Sequence, residues 1–306
     1  MDQPRMELTA LALLFLGVAL AEPVSRWLAR ADWPARDPVG GLLAWQAIGL
    51  AGGLALLGAG AVYGLAPLGP SPLAAGWVFL QALTDRRWPA GLDVAHVLSL
   101  CAAVALGLRL VGVLAAVTFR TLRARRHHRD LLDLLGTPWP AVPGARVLDH
   151  PTPVAYCLPG LRSRLVLSAG VLDALDPPGV RAVLAHERAH LRERHDLVVL
   201  PFVAWGATAP FVRGMVCAQI AVAALVEMRA DDVASTRVAP GVLTGALRSM
   251  GGAAPAAALS SFTAALDCRL ARVTAPPAPL PAAVRVAVRI GALALVALPT
   301  ALLLTP

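Results

Sequence analysis

Residues 186–231 read HERAHLRERHDLVVLPFVAWGATAPFVRGMVCAQIAVAALVEMRAD, and the fold turns on this stretch. Two short charged motifs, HERAH at 186–190 and EMRAD at 227–231, lie on either side of an apolar segment, residues 197–226, in which Arg213 is the one charge. On a helix, His186 and His190 stand at i and i+4, so both imidazoles project from one face and can grip one zinc ion. Glu187 lies one step round, placed to take a proton from a water that the metal activates. With seven His and five Glu in the chain, random placement gives about 0.003 such matches, so the motif is specific. Asp176-Pro177-Pro178 upstream marks a helix start, with Asp as the cap and Pro in the first turn. The motif therefore falls inside an expected helix.

Two imidazoles are not enough, because a catalytic zinc has three protein ligands and an open position for water. Candidates for the third are His195, Asp196 and Glu227. His195 is expected to continue the motif helix, and a metzincin pattern would need Gly where Glu193 stands. Ligand chemistry and spacing favour Glu227, in a second helix beginning after Pro210. Asp231 shares its face, with small Ala230 beside it, and can orient a ligating His through the other ring nitrogen. The bland alternative is a set of unrelated solvated side chains. In a chain this poor in charge, two of five Glu in both halves of one zinc pattern argue against it.

The chain has 306 residues, 57% hydrophobic and 15% charged, with a mean hydropathy of +0.66. A soluble domain carries roughly 25% charged residues, so a wholly soluble protein and a disordered one are both disfavoured. Every basic residue is Arg, and there is no Lys or Asn, which reads as codon bias of a GC-rich, bacterial genome. Cys101, Cys157, Cys217 and Cys268 have no short spacing, so neither a disulfide framework nor a Cys-based zinc site is expected. Four stretches can span the ~30 Å hydrocarbon core: about residues 8–28, 39–65, 92–119 and 286–304. The first has a small-residue pattern like a signal-peptidase site at 19–21, but Asp2 and Glu7 against Arg5 favour a retained helix.

Arginines then set the orientation. Arg26, Arg30 and Arg36 follow the first span, a run at 120–129 follows the third, and Arg269, Arg272, Arg285 and Arg289 lie at the fourth. If these face the cytoplasm, both termini and the loop with Arg86 and Arg87 lie outside. The run at 120–129, with His127 and His128, reads as an arm on anionic lipid and not as a nucleic-acid surface. Arg109, in mid-span, faces a partner, a cavity or a structural pair. A shared metal requires His190 and Glu227 on one side, so residues 197–226 are expected to form a hairpin, turned near Pro210, that does not cross. The expected architecture is a mainly α membrane protein: residues 1–119 with three spans, a cytoplasmic α+β zincin-like domain at 120–285, and a last span at 286–306. Within that domain, residues 134–143 read as a Pro-rich linker. Residues 146–150, 154–158 and 164–168 read as strands, the last an edge strand able to hold an extended substrate. His195 and Arg237 are the candidate donors to a transition-state oxyanion, although each is more commonly a solvated side chain.

HERAH followed by EMRAD, behind VLSAGVLDAL at 166–175 and between membrane spans, resembles the BlaR/MecR-type integral-membrane metallopeptidases. Those are gluzincins, and the motifs are shared with the HtpX and CAAX-prenyl endopeptidase group. The resemblance covers about residues 90–290, including RLAR at 269–272. It implies one Zn²⁺ held by His186, His190 and Glu227, with Glu187 as general base. It also implies hydrolysis of peptide bonds in a cytoplasmic or membrane-proximal protein at the inner membrane. By analogy with the family the role is regulatory, with a transcriptional repressor as substrate. The alternatives are quality control of membrane proteins, as in the HtpX group, or a non-catalytic scaffold with a structural metal. The antibiotic-sensing members carry a penicillin-binding sensor after the last span, whereas this sequence stops at Pro306, so direct β-lactam sensing is not expected.

Overall fold

The computed structural model describes residues 3–160, 163–251 and 259–304. The tail, Thr305 and Pro306, and the Asp2 of the N-terminal charge argument lie outside the described residues. Helix α1 (Gln3–Ala19) passes through a π-helical turn at Leu20–Val24 into α2 (Ser25–Ala29). Then come α3 (Trp33–Arg36), α4 (Pro38–Leu65), α5 (Pro72–Thr84) and α6 (Val94–Leu135). A small sheet follows, of β1 (Thr137–Pro138), β2 (Ala145–Leu148), β3 (Ala155–Leu158) and β4 (Arg164–Ser168). The chain ends in α7 (Ala169–Ala174), α8 (Pro177–Arg192), α9 (His195–Thr208), α10 (Arg213–Ser235), α11 (Pro240–Gly251), α12 (Leu259–Thr274) and α13 (Ala282–Leu304).

Among the described residues, four helices are long and apolar enough to cross a membrane: Pro4–Ala29, Pro38–Leu68, Val94–Leu135 and Ala282–Leu304. Helix α4 lies at their centre, against α1, α6 and α13. It starts sharply, with Pro38 in its first turn and the Asp37 carboxylate accepting from Gly40 N at 3.1 Å. Its small residues let neighbouring backbones approach, as membrane helices do where packing and not water exclusion drives association. Ala51 and Ala55 are fully buried, while Leu8, Phe15, Leu98, Leu108 and Leu293 point outward. The third of these helices is longer than its apolar part. It carries the basic run at 120–129 as a straight helical extension and ends at Leu135.

The segment at 134–143 is accordingly not a plain linker: it begins as helix and then pairs Thr137 and Pro138 with β2. The sheet order is β1-β2-β4-β3, with β2 parallel and β3 antiparallel to β4. The expectation that Arg164–Ser168 is an edge strand is thus wrong. Its LVLS run is buried, as a central strand requires, and the outer strands among the described residues are β1 and β3. Helix α8 packs here, with Val180 and Leu184 sharing a core with Leu165 and Leu167 of β4 and Val171 of α7. Burial of this kind is worth roughly 1.5–3 kcal/mol per large side chain.

Helices α9 and α10, joined by residues 209–212, pack against each other. Val222, Leu225 and Phe202 from this hairpin share a core with Leu20, Leu28, Trp45 and Ile48 of the first two long helices. The helix that carries Glu227 is therefore built into the apolar bundle, while the helix that carries His186 and His190 is built onto the sheet.

Candidate metal centre

Helix α8 begins as the sequence indicates, with the Asp176 side chain accepting from Gly179 N at 2.8 Å. It ends at Arg192, and Arg194 turns the chain with φ 51°, the left-handed region. His195 consequently does not continue the motif helix. It opens α9 and folds back so that its Nδ1 lies 3.0 Å from His190 Nδ1.

His186, His190 and Glu227 converge. The two Nε2 atoms are 3.1 Å apart, and the Glu227 carboxylate oxygens lie 3.3 Å from His186 Nε2 and 3.5 Å from His190 Nε2. Tetrahedral zinc with bonds of ~2.0–2.1 Å sets its donors ~3.3 Å apart. Two imidazoles and a carboxylate at these separations fit that ion. Of the other third-ligand candidates, Asp196 is occupied by Arg125 Nη1 at 2.9 Å, and His195 is engaged by His190 Nδ1 at 3.0 Å and by Glu193 at 3.4 Å.

Behind each imidazole stands a carboxylate held by an arginine. His186 Nδ1 is 2.9 Å from Asp231 Oδ1, and Arg269 grips Asp231 with two bonds of 2.8 Å while its Nη1 lies 3.0 Å from Glu227. His190 leans on His195, whose Nε2 is 3.4 Å from Glu193, and Glu193 is clamped by Arg229 at 2.6–3.1 Å. Such outer partners orient a ligating ring and fix its tautomer. Arg269 and Glu193 were not singled out as site residues from sequence. The one available signal was the RLAR segment, whose Arg272 also pairs with Asp232 at 2.6 Å.

The electrostatics follow from burial against pairing. Burial opposes a charged His186, but Asp231 and Glu227 override it and push its pKa up to about 9. Burial takes His190 down to about 4, because Glu227 opposes it only in part while His186, His195 and Arg269 add to it. Glu227 is held down at about 2, because the histidine hydrogen bonds and Arg269 outweigh burial. Glu187 moves the other way, raised by burial and by Glu227. Beside it the Cys157 thiol, buried and facing that carboxylate, is pushed up to about 12.

These groups line a cleft of about 550 Å³ that also holds Arg125, Tyr156 and Pro159, so the free edge of β3 forms one wall. The Tyr156 hydroxyl is 2.6 Å from His128 Nε2, on the basic extension of α6. Arg237, by contrast, is exposed past the end of α10 and is not among the residues lining the cleft.

Residues 120–255 match the profile of peptidase family M48, a stretch that includes both motifs and most of the cleft. No curated protein and no solved structure gives a significant match. The family match supports a metallopeptidase function for this part of the chain.

Proposed function

We propose that the chain is a membrane-embedded zinc-dependent endopeptidase. The observation that carries this reading is the convergence of His186, His190 and Glu227 on a cleft that also holds Glu187 and an unpaired strand edge. Zinc, when bound, supplies a Lewis acid that polarises the scissile carbonyl and acidifies a water molecule. Glu187, with its affinity for protons raised by burial, takes the proton from that water and delivers it to the leaving amine. Asp231 and the His195–Glu193 pair keep the proton of each ligating ring on Nδ1, leaving both Nε2 lone pairs for the metal. An extended substrate adds to the free edge of β3, which gives main-chain affinity without demanding a particular sequence.

In this reading residues 120–285 lie on the cytoplasmic side between the third and fourth spans, as the arginine distribution favours. The hairpin dips into the bilayer and returns. The substrate in this reading is a cytoplasmic or membrane-proximal protein, a transcriptional repressor by the family resemblance, with membrane-protein quality control the alternative. Metal analysis and proteolysis test the reading together. We expect about one zinc per chain, lost in His186→Ala and His190→Ala but retained in Glu187→Gln, which nevertheless cleaves nothing. Comparing the protein termini of cells that express wild type and Glu187→Gln would then identify the substrate. Protein purified without chelator that contains no zinc would end the enzyme reading.

A further inference from the structure

The tip of the α9–α10 hairpin, residues 209–212, interrupts the helical hydrogen-bond ladder beside the long apolar helices. At ~1.5 Å per residue, Arg109 on α6 lies ~22 Å from Val94 and ~16 Å from Arg120, and Glu22 lies ~10 Å before Ala29. Both charges thus sit inside the apolar parts of their helices. Irregular backbone is tolerated at such depth only where protein groups satisfy it. Each charge does so at one end of the tip. Arg109 donates from Nε and Nη2 to Thr208 O, the last carbonyl of α9, at 3.0 and 2.8 Å. The Glu22 carboxylate accepts from Gly214 N, in the first turn of α10, at 2.7 Å. A cation thus meets a helix C-terminus and an anion a helix N-terminus, the favourable sense for both dipoles.

The contact with Glu22 is close as well as charged. A Cβ on Gly214 would collide with Ala21 O and come within 2.9 Å of Glu22 Cα. The first helix makes room there with its π-turn around Pro23, where Ser25 Oγ takes up Leu20 O at 2.6 Å. Between Gly214 and Glu227, α10 is an unbroken helix buried through Ala218, Val222 and Leu225, a rod of ~20 Å. A register shift of one residue in this helix would place Glu227 ~100° round the axis.

We propose that Glu22 and Arg109 are positioning residues for the metal centre. They are two opposite charges, Glu22 also facing Arg26 Nη1 at 3.4 Å, that close the two ends of the hairpin tip and set where α10 presents Glu227 to His186 and His190. The use of that centre rests on the peptidase reading; the clamp itself does not.

The test uses the full chain in nanodiscs of phosphatidylglycerol and phosphatidylethanolamine, with Cys101, Cys157, Cys217 and Cys268 replaced by Ala. One arm measures zinc affinity by competition with a fluorescent chelator. The other places a single cysteine by Phe211→Cys, at the tip, and follows labelling by a membrane-impermeant maleimide without metal. Glu22→Ala and Arg109→Ala should each weaken zinc by ~3–30-fold, the size of a lost helix cap, and should expose the tip cysteine to label. Glu22→Gln keeps an acceptor and Arg109→Lys a donor, so both should stay near wild type in the two arms. The proposal is overturned if the alanine variants bind zinc as tightly as wild type with the tip still protected. It is equally overturned if the conservative variants lose as much as the alanines, or if the tip labels fully without any further change. A wild-type chain that binds no zinc would remove the peptidase reading, while the labelling arm would still decide the clamp.

Discussion

Arg269→Met removes a guanidinium and keeps the length of its aliphatic stem. In the native chain that guanidinium makes two bonds of 2.8 Å to Asp231, whose side chain is 1% exposed, and a third contact of 3.0 Å to Glu227. An exposed pair of this kind would be worth ~0–1 kcal/mol, but an ion left alone in the interior costs ~3–5 kcal/mol. Burial already pushes the Asp231 carboxyl up, and Arg269 and His186 hold it below its ordinary value. Because His186 still faces Asp231 after the substitution, the lower end applies, about 3 kcal/mol. Reversible denaturant unfolding of the chelator-treated protein in detergent measures this directly. Adding Asp231→Leu should restore most of the stability, since the most deeply buried orphan carboxylate is then gone, yet leave zinc ~10–100-fold weaker for want of the His186 partner. A change below ~0.5 kcal/mol for Arg269→Met, as at an ordinary surface site, would refute the view that this arginine is part of the buried centre.

His195→Ala should weaken zinc ~10–100-fold in a chelator competition without emptying the site at saturating metal, as for any outer partner of a ligating ring; complete loss would make His195 a ligand. Zinc must displace the proton that His186 holds up to a pKa of about 9, whereas His190 is already neutral above about 4. Titration calorimetry in buffers of different ionisation enthalpy should therefore show about one proton released per zinc at pH 7.5, falling to none well above pH 9. For the chelated protein the raised His186 pKa adds stability that is complete below its unfolded value of 6.5 and lost as pH rises through about 9. The lowered His190 pKa has the opposite sign, costing stability as pH falls from 6.5 toward about 4. Gly214→Ala should destabilise by ~1–3 kcal/mol through overpacking. Gly245→Ala in α11, where a Cβ meets nothing within 4 Å, should gain ~0.5–1 kcal/mol, and equal effects at the two glycines would contradict the close approach at Gly214.

Some of this was plain in the residue order because the physics is local. A helix period places His186 and His190 on one face, Asp176 with two prolines starts that helix, and apolar stretches near 20 residues announce the long helices. That residues 197–226 double back was an expectation reached only by joining hydropathy to the demand that one metal be shared. The failures have a common cause. That β4 is central and β3 the edge depends on how strands from distant positions pair, which no alternation pattern in either strand records. His195 left the motif helix through one left-handed residue, Arg194, at which an arginine gives no signal.

Residue order alone determined the donor chemistry of the centre and the presence of four long apolar helices, since side-chain type and spacing act over a few residues. Only the tertiary structure decided what surrounds those donors. Arg269 reaches Asp231 across 38 residues, Arg109 reaches Thr208 across 99, and Glu22 reaches Gly214 across 192. A charge held against apolar helices is stabilised by an opposite charge or a helix end, and which one it finds is settled by helix packing, a property of the whole chain and not of any stretch within it.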